Sequence, residues 1–138
     1  MALRVAIDTN RYRDFVIGDL PAGNPIQVAD EIFLPFIVVA ELRGGFRFGG
    51  RAEQNEKGLA DFIRSFRVHV LFADEGTVHQ YADLSVLLRR AGTPLPTNDV
   101  WIASLAIQHD LTLFTRDRHF ERVPRLARNL VGTGGDRH

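Results

Sequence analysis

Short apolar runs alternate with longer amphipathic stretches along the 138-residue chain. The apolar runs have the length and residue types of buried β-strands and end at polar residues or proline. Between them, apolar side chains recur every three or four positions, as in helices that pack one face against a core. This alternation predicts a single α/β domain with a central parallel sheet of four to five strands flanked by helices. The predicted strands are 3–7, 32–35, 68–72 and 111–115, with a short edge strand at 130–131.

The helical stretches differ in how much of their surface is apolar. Asp74 and Thr97 stand where N-caps are expected, and the helix over 98–109 is apolar on nearly all sides, which predicts burial on several faces. Glycine pairs at 44–45 and 49–50 predict that the helix of 36–48 weakens at its end and is followed by a hinge. The folded domain is predicted to span 1–131 and to end in a flexible tail, 132–138. The remaining predicted helices lie near 12–16, 26–31, 53–65 and 75–91.

Composition excludes several classes of protein. At 45% hydrophobic residues, the chain can bury a real core, and its 17 basic and 17 acidic side chains cancel, which argues against a polybasic binder. It has no cysteine, so disulfides, thiolate zinc sites, iron–sulfur clusters and cysteine nucleophiles are excluded. No apolar run reaches the roughly 18–20 residues that span a bilayer, and residues 1–7 lack the apolar run of a signal peptide. We therefore expect a cytoplasmic protein with no membrane partner.

Only Lys57 among the 17 basic residues is lysine, and the others are arginine. The planar guanidinium suits bidentate contacts with phosphate, although a GC-rich genome would produce the same bias. The bias therefore supports a phosphate ligand only where other features agree.

Four acidic residues stand where an α/β sheet places its functional sites. Asp8 and Asp117 follow predicted strands, Asp99 lies in the first turn of the apolar helix, and Glu41 lies within the helix after the second strand. Carboxylates that converge in apolar surroundings raise each other's pKa until a cation joins them. The carboxylate oxygens favour a hard divalent cation, Mg²⁺ or Mn²⁺.

Each acid alone has a structural alternative. Asp8 could cap the first helix, Asp99 could interact with the helix dipole, Asp117 could be a turn residue, and Glu41 could pair with a nearby arginine. The joint occurrence of all four at these positions in one predicted sheet favours a common site.

Four segments carry a resemblance to a known family. In order and spacing, VAIDTN at 5–10, VVAELR at 38–43, TNDVWIA at 97–103 and TRDRHF at 115–120 resemble the acidic motifs of PIN-domain ribonucleases. Length and pattern together are most similar to the VapC toxins of bacterial and archaeal toxin–antitoxin pairs. The resemblance covers essentially the whole chain. It departs from the usual pattern at Ser104 and in the glycine-rich stretch 44–50.

The resemblance implies a compact, homodimeric nuclease domain that cleaves RNA with Mg²⁺ or Mn²⁺, gives 5′-phosphate and 3′-hydroxyl ends, and is inhibited by a VapB-type antitoxin. Carried over by position, the catalytic and metal-binding residues are Asp8, Glu41, Asp99 and Asp117. Thr115 would orient a carboxylate or bound water, and Thr9 and Asn10 would lie close by, near the metal ligands or the substrate. Arginines that flank the motifs could hold the RNA backbone: Arg11, Arg13, Arg43, Arg47, Arg116 and Arg118.

Other functions fit the same residues less well. A phosphoacceptor receiver domain needs a lysine after a late strand, and the only one is Lys57. A haloacid-type phosphatase needs Asp-x-Asp after the first strand, whereas Thr9 and Asn10 follow Asp8; a dinucleotide-binding module needs a glycine-rich turn there. His119 is interpreted as a turn or partner contact. The remaining alternative is a non-catalytic PIN-like RNA-binding or assembly module, in which some of the acids would usually be lost.

Overall fold

The protein forms a five-stranded parallel sheet in the strand order β3-β2-β1-β4-β5. The computed structural model describes residues 2–126 and 128–129. The predicted fold class and the four main strands are confirmed, whereas the predicted strand at 130–131 and the tail at 132–138 lie outside the described residues. The strands are β1 (Arg4–Ile7), β2 (Glu31–Pro35), β3 (Val68–Leu71), β4 (Thr112–Phe114) and β5 (Arg128–Asn129).

Six α-helices and one 3₁₀ turn connect the strands of the described chain. Helix α5 packs against α6, and α3 packs against both α1 and α4. None of the helices in this part of the chain is long and apolar enough to cross a bilayer. The helices are α1 (Thr9–Val16), α2 (Pro25–Val28), α3 (Phe36–Phe48), α4 (Ala52–Ile63), α5 (Glu75–Arg90) and α6 (Thr97–Gln108), and the 3₁₀ turn is Arg118–Arg122.

The core lies around the central strand. Val5, Ala6 and Ile7 of β1 are fully buried, as expected for a parallel strand that is covered on both faces. Helix α6 is buried along most of its length, which confirms the prediction from its nearly continuous apolar surface. Burial of these residues holds β1 and α6 in the core; Asp8 follows β1 directly, and Asp99 lies in the first turn of α6.

The chain runs from β1 to β2 to β3 in one direction and then crosses to β4 on the other side of β1. The carboxyl ends of β1 and β4 are therefore neighbours, with Ile7 in register with Phe114. A change of winding direction between adjacent parallel strands opens a crevice at their carboxyl ends, where ligands of α/β proteins bind. Asp8 and Thr115 are the first residues beyond the two strands.

Helix α3 ends at Phe48, as predicted, with Gly44 and Gly45 inside it, and the chain turns at the second glycine pair. Two other predictions about helices are wrong. Thr97 is the first residue of α6 and does not cap it, because the N-cap is Pro96, which has no side-chain hydrogen bond. The helix predicted near 26–31 ends at Val28, and Glu31 already belongs to β2.

Candidate active site

Asp8 connects β1 to α1 and is buried. Its Oδ1 accepts a hydrogen bond from the Arg11 backbone N–H at 2.9 Å, which caps α1, and its Oδ2 accepts one from the Thr115 hydroxyl. Burial raises the pKa of Asp8, and the hydrogen bonds from Thr115 and Arg11 oppose that rise. Asp8 thus caps the helix, as one interpretation of the sequence held, and also lines the cavity described below.

Asp117 is held by the chain that follows β4. Its backbone N–H donates to the Thr115 hydroxyl oxygen at 3.0 Å, and its Oδ1 accepts from the His119 backbone N–H at 2.9 Å. The His119 imidazole Nδ1 also lies 3.2 Å from that oxygen. Asp117 is therefore the N-cap of the 3₁₀ turn, and its carboxylate is oriented by His119 and by the backbone.

Glu41 lies on α3 and is held from two sides. Thr9 donates its hydroxyl to Oε1 at 2.5 Å, and Asn98 donates its amide to Oε2 at 3.1 Å. The nearby Arg43 instead forms an ion pair with Glu56 at 3.0 Å. The Arg47 guanidinium donates to the Arg43 carbonyl. Glu41 is thus bound by neutral donors, which leave its negative charge in the site.

Asp99, in the first turn of α6, is the acid whose protonation is most clearly perturbed. Burial raises its pKa to about 6, with further contributions from the negative charges of Asp117, Glu41 and Asp8, while His119 opposes the rise. A carboxyl whose pKa rises because other carboxylates surround it is stabilised by a bound cation. The mutual repulsion expected from the sequence is therefore present at Asp99.

The four acids line one cavity of about 250 Å³ at the carboxyl edge of the sheet. One ligand atom from each of Asp99, Asp117 and His119 lies within 4.8 Å of the others, a spacing that a single metal ion could bridge. Asp8 and Glu41 lie outside this closest group. The donor set of carboxylate oxygens with one imidazole fits a divalent cation such as Mg²⁺ or Mn²⁺. The full lining is Asp8, Thr9, Asn10, Arg13, Glu41, Asp99, Ile102, Asp117 and Phe120.

The sequence analysis did not place His119 among the residues of the site. Its position two residues after Asp117 is the signal that could have placed it there. Thr9 and Asn10 line the cavity, and Thr115 is bonded to Asp8. Arg116 does not line this cavity, because its guanidinium pairs with Asp14 at 3.0 Å. Arg11, expected among the RNA contacts, is buried and is 2% exposed. Of the flanking arginines, Arg13 is the one in the cavity lining.

The chain is similar to known proteins over most of its length. The family model for the PIN domain matches residues 8–126. Ribonuclease VapC2 of Rickettsia felis is 32% identical over 96 residues, which are 69% of this chain and 70% of that protein. Ribonuclease VapC1 of Haemophilus influenzae strain R2866 is 30% identical over 95 residues, 68% of this chain and 69% of that protein.

Solved structures agree with these sequence relatives. The crystal structure of VapBC2 from Rickettsia felis bound to a DNA fragment from their promoter matches with a TM-score of 0.82 and 26% identity, covering 92% of this chain and 98% of that chain. DNA-bound VapBC from Salmonella typhimurium matches with a TM-score of 0.80 and 27% identity, covering 92% and 97%. The strand order, the cluster of acids and these matches lead to one conclusion: the chain belongs to the PIN-domain family.

Proposed function

We propose that the protein is a metal-dependent endoribonuclease and the toxin of a type II toxin–antitoxin pair. The observation that carries this proposal is the convergence of Asp8, Glu41, Asp99 and Asp117 on one cavity. Relatives named ribonuclease VapC and structural neighbours that are VapBC complexes support it.

The four acids would bind Mg²⁺ or Mn²⁺, with His119 close to Asp99 and Asp117. When bound, such a cation makes water a nucleophile near neutral pH and neutralises charge on a phosphodiester. The neutral donors around Glu41 and the hydroxyl bonded to Asp8 keep these carboxylates oriented toward the cavity. Orientation of ligands by surrounding hydrogen bonds is a main determinant of metal affinity.

Two side chains in the cavity lining are suited to hold RNA. Arg13 is exposed and carries a charge that can contact phosphate, and Asn10, also exposed, can donate to phosphate or sugar oxygens. We expect hydrolysis to leave a 5′-phosphate and a 3′-hydroxyl. Arg116 is left out of this substrate-binding group because Asp14 binds it.

A groove of about 790 Å³ adjoins the site between α1, α3 and α4. Phe15, Val16 and Ile17 are exposed apolar side chains in its lining, and Arg13 is shared with the cavity. Such a groove suits an amphipathic segment of a partner protein. We assign it to a VapB-type antitoxin, which would thereby reach the cleavage site, and we expect the free protein to be a homodimer.

The alternative function is a non-catalytic PIN-like module that binds RNA or assembles with other proteins. The presence of all four acids in one cavity, with the pKa of Asp99 raised by its burial and by the other three, favours catalysis. The two functions differ in whether bound RNA is cut.

The test is cleavage of a mixed pool of tRNA and ribosomal RNA by the purified wild type and Asp99→Asn, with Mn²⁺, Mg²⁺ or EDTA. Asp83→Asn, which changes an exposed acid on α5 outside the cavity lining, is the matched control. We expect discrete products from wild type and from Asp83→Asn, and none from Asp99→Asn or with EDTA. Cleavage that survives in Asp99→Asn would contradict the proposal, and metal-dependent RNA binding without cleavage would favour the non-catalytic module.

A further inference from the structure

A cluster of three charged side chains lies beside the cavity and is separate from the four acids. Asp14, on α1, is buried and accepts hydrogen bonds from two arginines: Arg11 Nη1 at 3.2 Å, and Arg116 Nε at 3.0 Å. A second bond joins Arg116 Nη2 to Asp14 Oδ1 at 3.4 Å. The cluster therefore connects α1 to the segment that carries Thr115 and Asp117.

The two arginines differ in their access to water. Arg11 is 2% exposed, and its guanidinium carbon lies 4.5 Å from the centre of the Phe114 ring. The Arg116 side chain is 46% exposed. Without Asp14, Arg116 could turn into solvent, whereas Arg11 would keep an unpaired charge in the interior, which is strongly unfavourable.

Arg11 also lies beside a carboxylate of the proposed metal site. It is three residues from Asp8 on the first turn of α1, and its backbone N–H is bonded to Asp8 Oδ1. The guanidinium rests on Phe114, whose neighbour Thr115 is bonded to the other Asp8 oxygen. Although burial raises the pKa of Asp8, the nearby Arg11 charge acts to lower it, so the two charges attract. Asp8 is thus an available second partner for Arg11.

We propose that Asp14 is a positioning residue: it neutralises the buried Arg11 guanidinium and so keeps that group from pairing with Asp8. The inference rests on the proposed function, because it takes Asp8 to be a ligand of the divalent cation. An Asp8 carboxylate paired with a guanidinium has less negative charge to offer a metal ion. Asp14 thus favours metal binding without contacting the metal.

The test measures Mn²⁺ binding by titration calorimetry on four proteins: wild type, Asp14→Asn, Arg116→Ala and the double variant Arg11→Met/Asp14→Asn. We expect Asp14→Asn to raise the Mn²⁺ dissociation constant by about tenfold, a typical coupling between neighbouring charged groups. The double variant lacks both buried charges, and we expect it to return to within about threefold of wild type. Arg116→Ala retains the Arg11–Asp14 pair and should leave Mn²⁺ affinity unchanged.

Urea denaturation of the same variants separates this role from a merely structural one, because the inference requires weaker Mn²⁺ binding by an Asp14→Asn protein that is still folded. Circular dichroism checks that each variant folds. If Asp14→Asn does not fold, the test compares the Mn²⁺ affinity of the double variant with that of wild type. Binding by the double variant that is more than about tenfold weaker than wild type overturns the inference. Equal binding by Asp14→Asn and wild type, or a loss in Arg116→Ala as large as in Asp14→Asn, also overturns it. Failure of wild type to bind Mn²⁺ overturns the proposed function as well.

Discussion

The hydroxyl of Thr115 donates to Asp8 across the ends of two adjacent strands. The same hydroxyl oxygen accepts the backbone N–H of Asp117 at 3.0 Å, so one buried side chain holds two of the four acids. This arrangement follows from the pairing of β1 with β4, which brings the residues after Ile7 and Phe114 together.

Thr115→Val removes this hydroxyl and keeps the shape of the side chain. We expect a loss of about 1–2 kcal/mol in the free energy of unfolding, because a buried donor and a buried acceptor lose their partner. Mn²⁺ affinity should fall by about tenfold, as when other groups that orient metal ligands are removed. Urea denaturation and titration calorimetry measure the two effects. Thr115→Ser retains the hydroxyl and should stay near wild type; an equal loss in Thr115→Ser would refute this role.

The pKa of Asp99, raised to about 6 by its burial and by Asp117 and Glu41, predicts how the stability of the metal-free protein depends on pH. The folded protein holds this proton more tightly than the unfolded chain, where the pKa is near 3.8. The contribution of Asp99 to stability therefore decreases as pH rises from about 4 to about 6 and is constant above.

Asp99→Asn isolates this effect. In EDTA at pH 7.5, well above the pKa of about 6, we expect the variant to be more stable than wild type by about 1 kcal/mol, a figure reduced for solvent screening. The advantage should shrink as pH falls below that value, where Asp99 becomes neutral. Urea denaturation across this range measures the difference. A variant less stable than wild type at every pH would mean that Asp99 is a structural residue.

Arg13→Ala should weaken RNA binding and leave the metal site intact. Arg13 is exposed in the cavity lining, and Gly45 leaves room for it: a Cβ built on Gly45 would lie 3.1 Å from Arg13 Nη2. We expect KM to rise by about tenfold, with little change in kcat or Mn²⁺ affinity, because a phosphate contact is lost. Arg64→Ala, at the end of α4, removes an equal charge outside the cavity lining and serves as the control. A drop in kcat alone would argue against a role in binding.

Asp74→Ala tests a contact network that lies outside the cavity lining. Asp74 caps α5 by accepting the Thr77 backbone N–H at 3.0 Å, and it binds the Gln108 amide of α6 at 2.7 Å. We expect the free energy of unfolding to fall by about 1–2 kcal/mol, as for other N-cap replacements. Mn²⁺ affinity should be unchanged. Asp83→Ala, on the exposed side of the same helix, should alter stability by less than about 0.5 kcal/mol.

The convergence of the acids could be predicted in part because two of them follow the ends of parallel strands. Asp8 and Asp117 follow strands that the apolar runs mark clearly, and parallel strands end at the same edge of a sheet. The bounds of α3, which carries Glu41, also agree with the sequence pattern. Gly44 and Gly45 do not interrupt this helix, because a helical glycine costs only about 1 kcal/mol, less than is gained by burying a residue such as Leu42.

The charged residues beside the motifs could not be placed from the sequence. Whether Arg116 faces the cavity or turns back toward α1 depends on Asp14, an acid that belongs to none of the motifs. His119 joins the acids only because the 3₁₀ turn begins directly after Asp117. Arg11 looked like a surface cation, and only its tertiary partners, Asp14 and the Phe114 ring, explain its burial.

The pairing of β1 with β4 also has a consequence during synthesis on the ribosome. Asp8 is translated before Thr115 and Asp117, which follow only after three helix-containing crossovers have been made. Contacts between such distant parts of a chain form late, because they require long loops to close. A nascent chain therefore lacks the complete set of acids until Asp117 has been translated, so the proposed nuclease cannot attack RNA before the ribosome has made β4 and the segment after it.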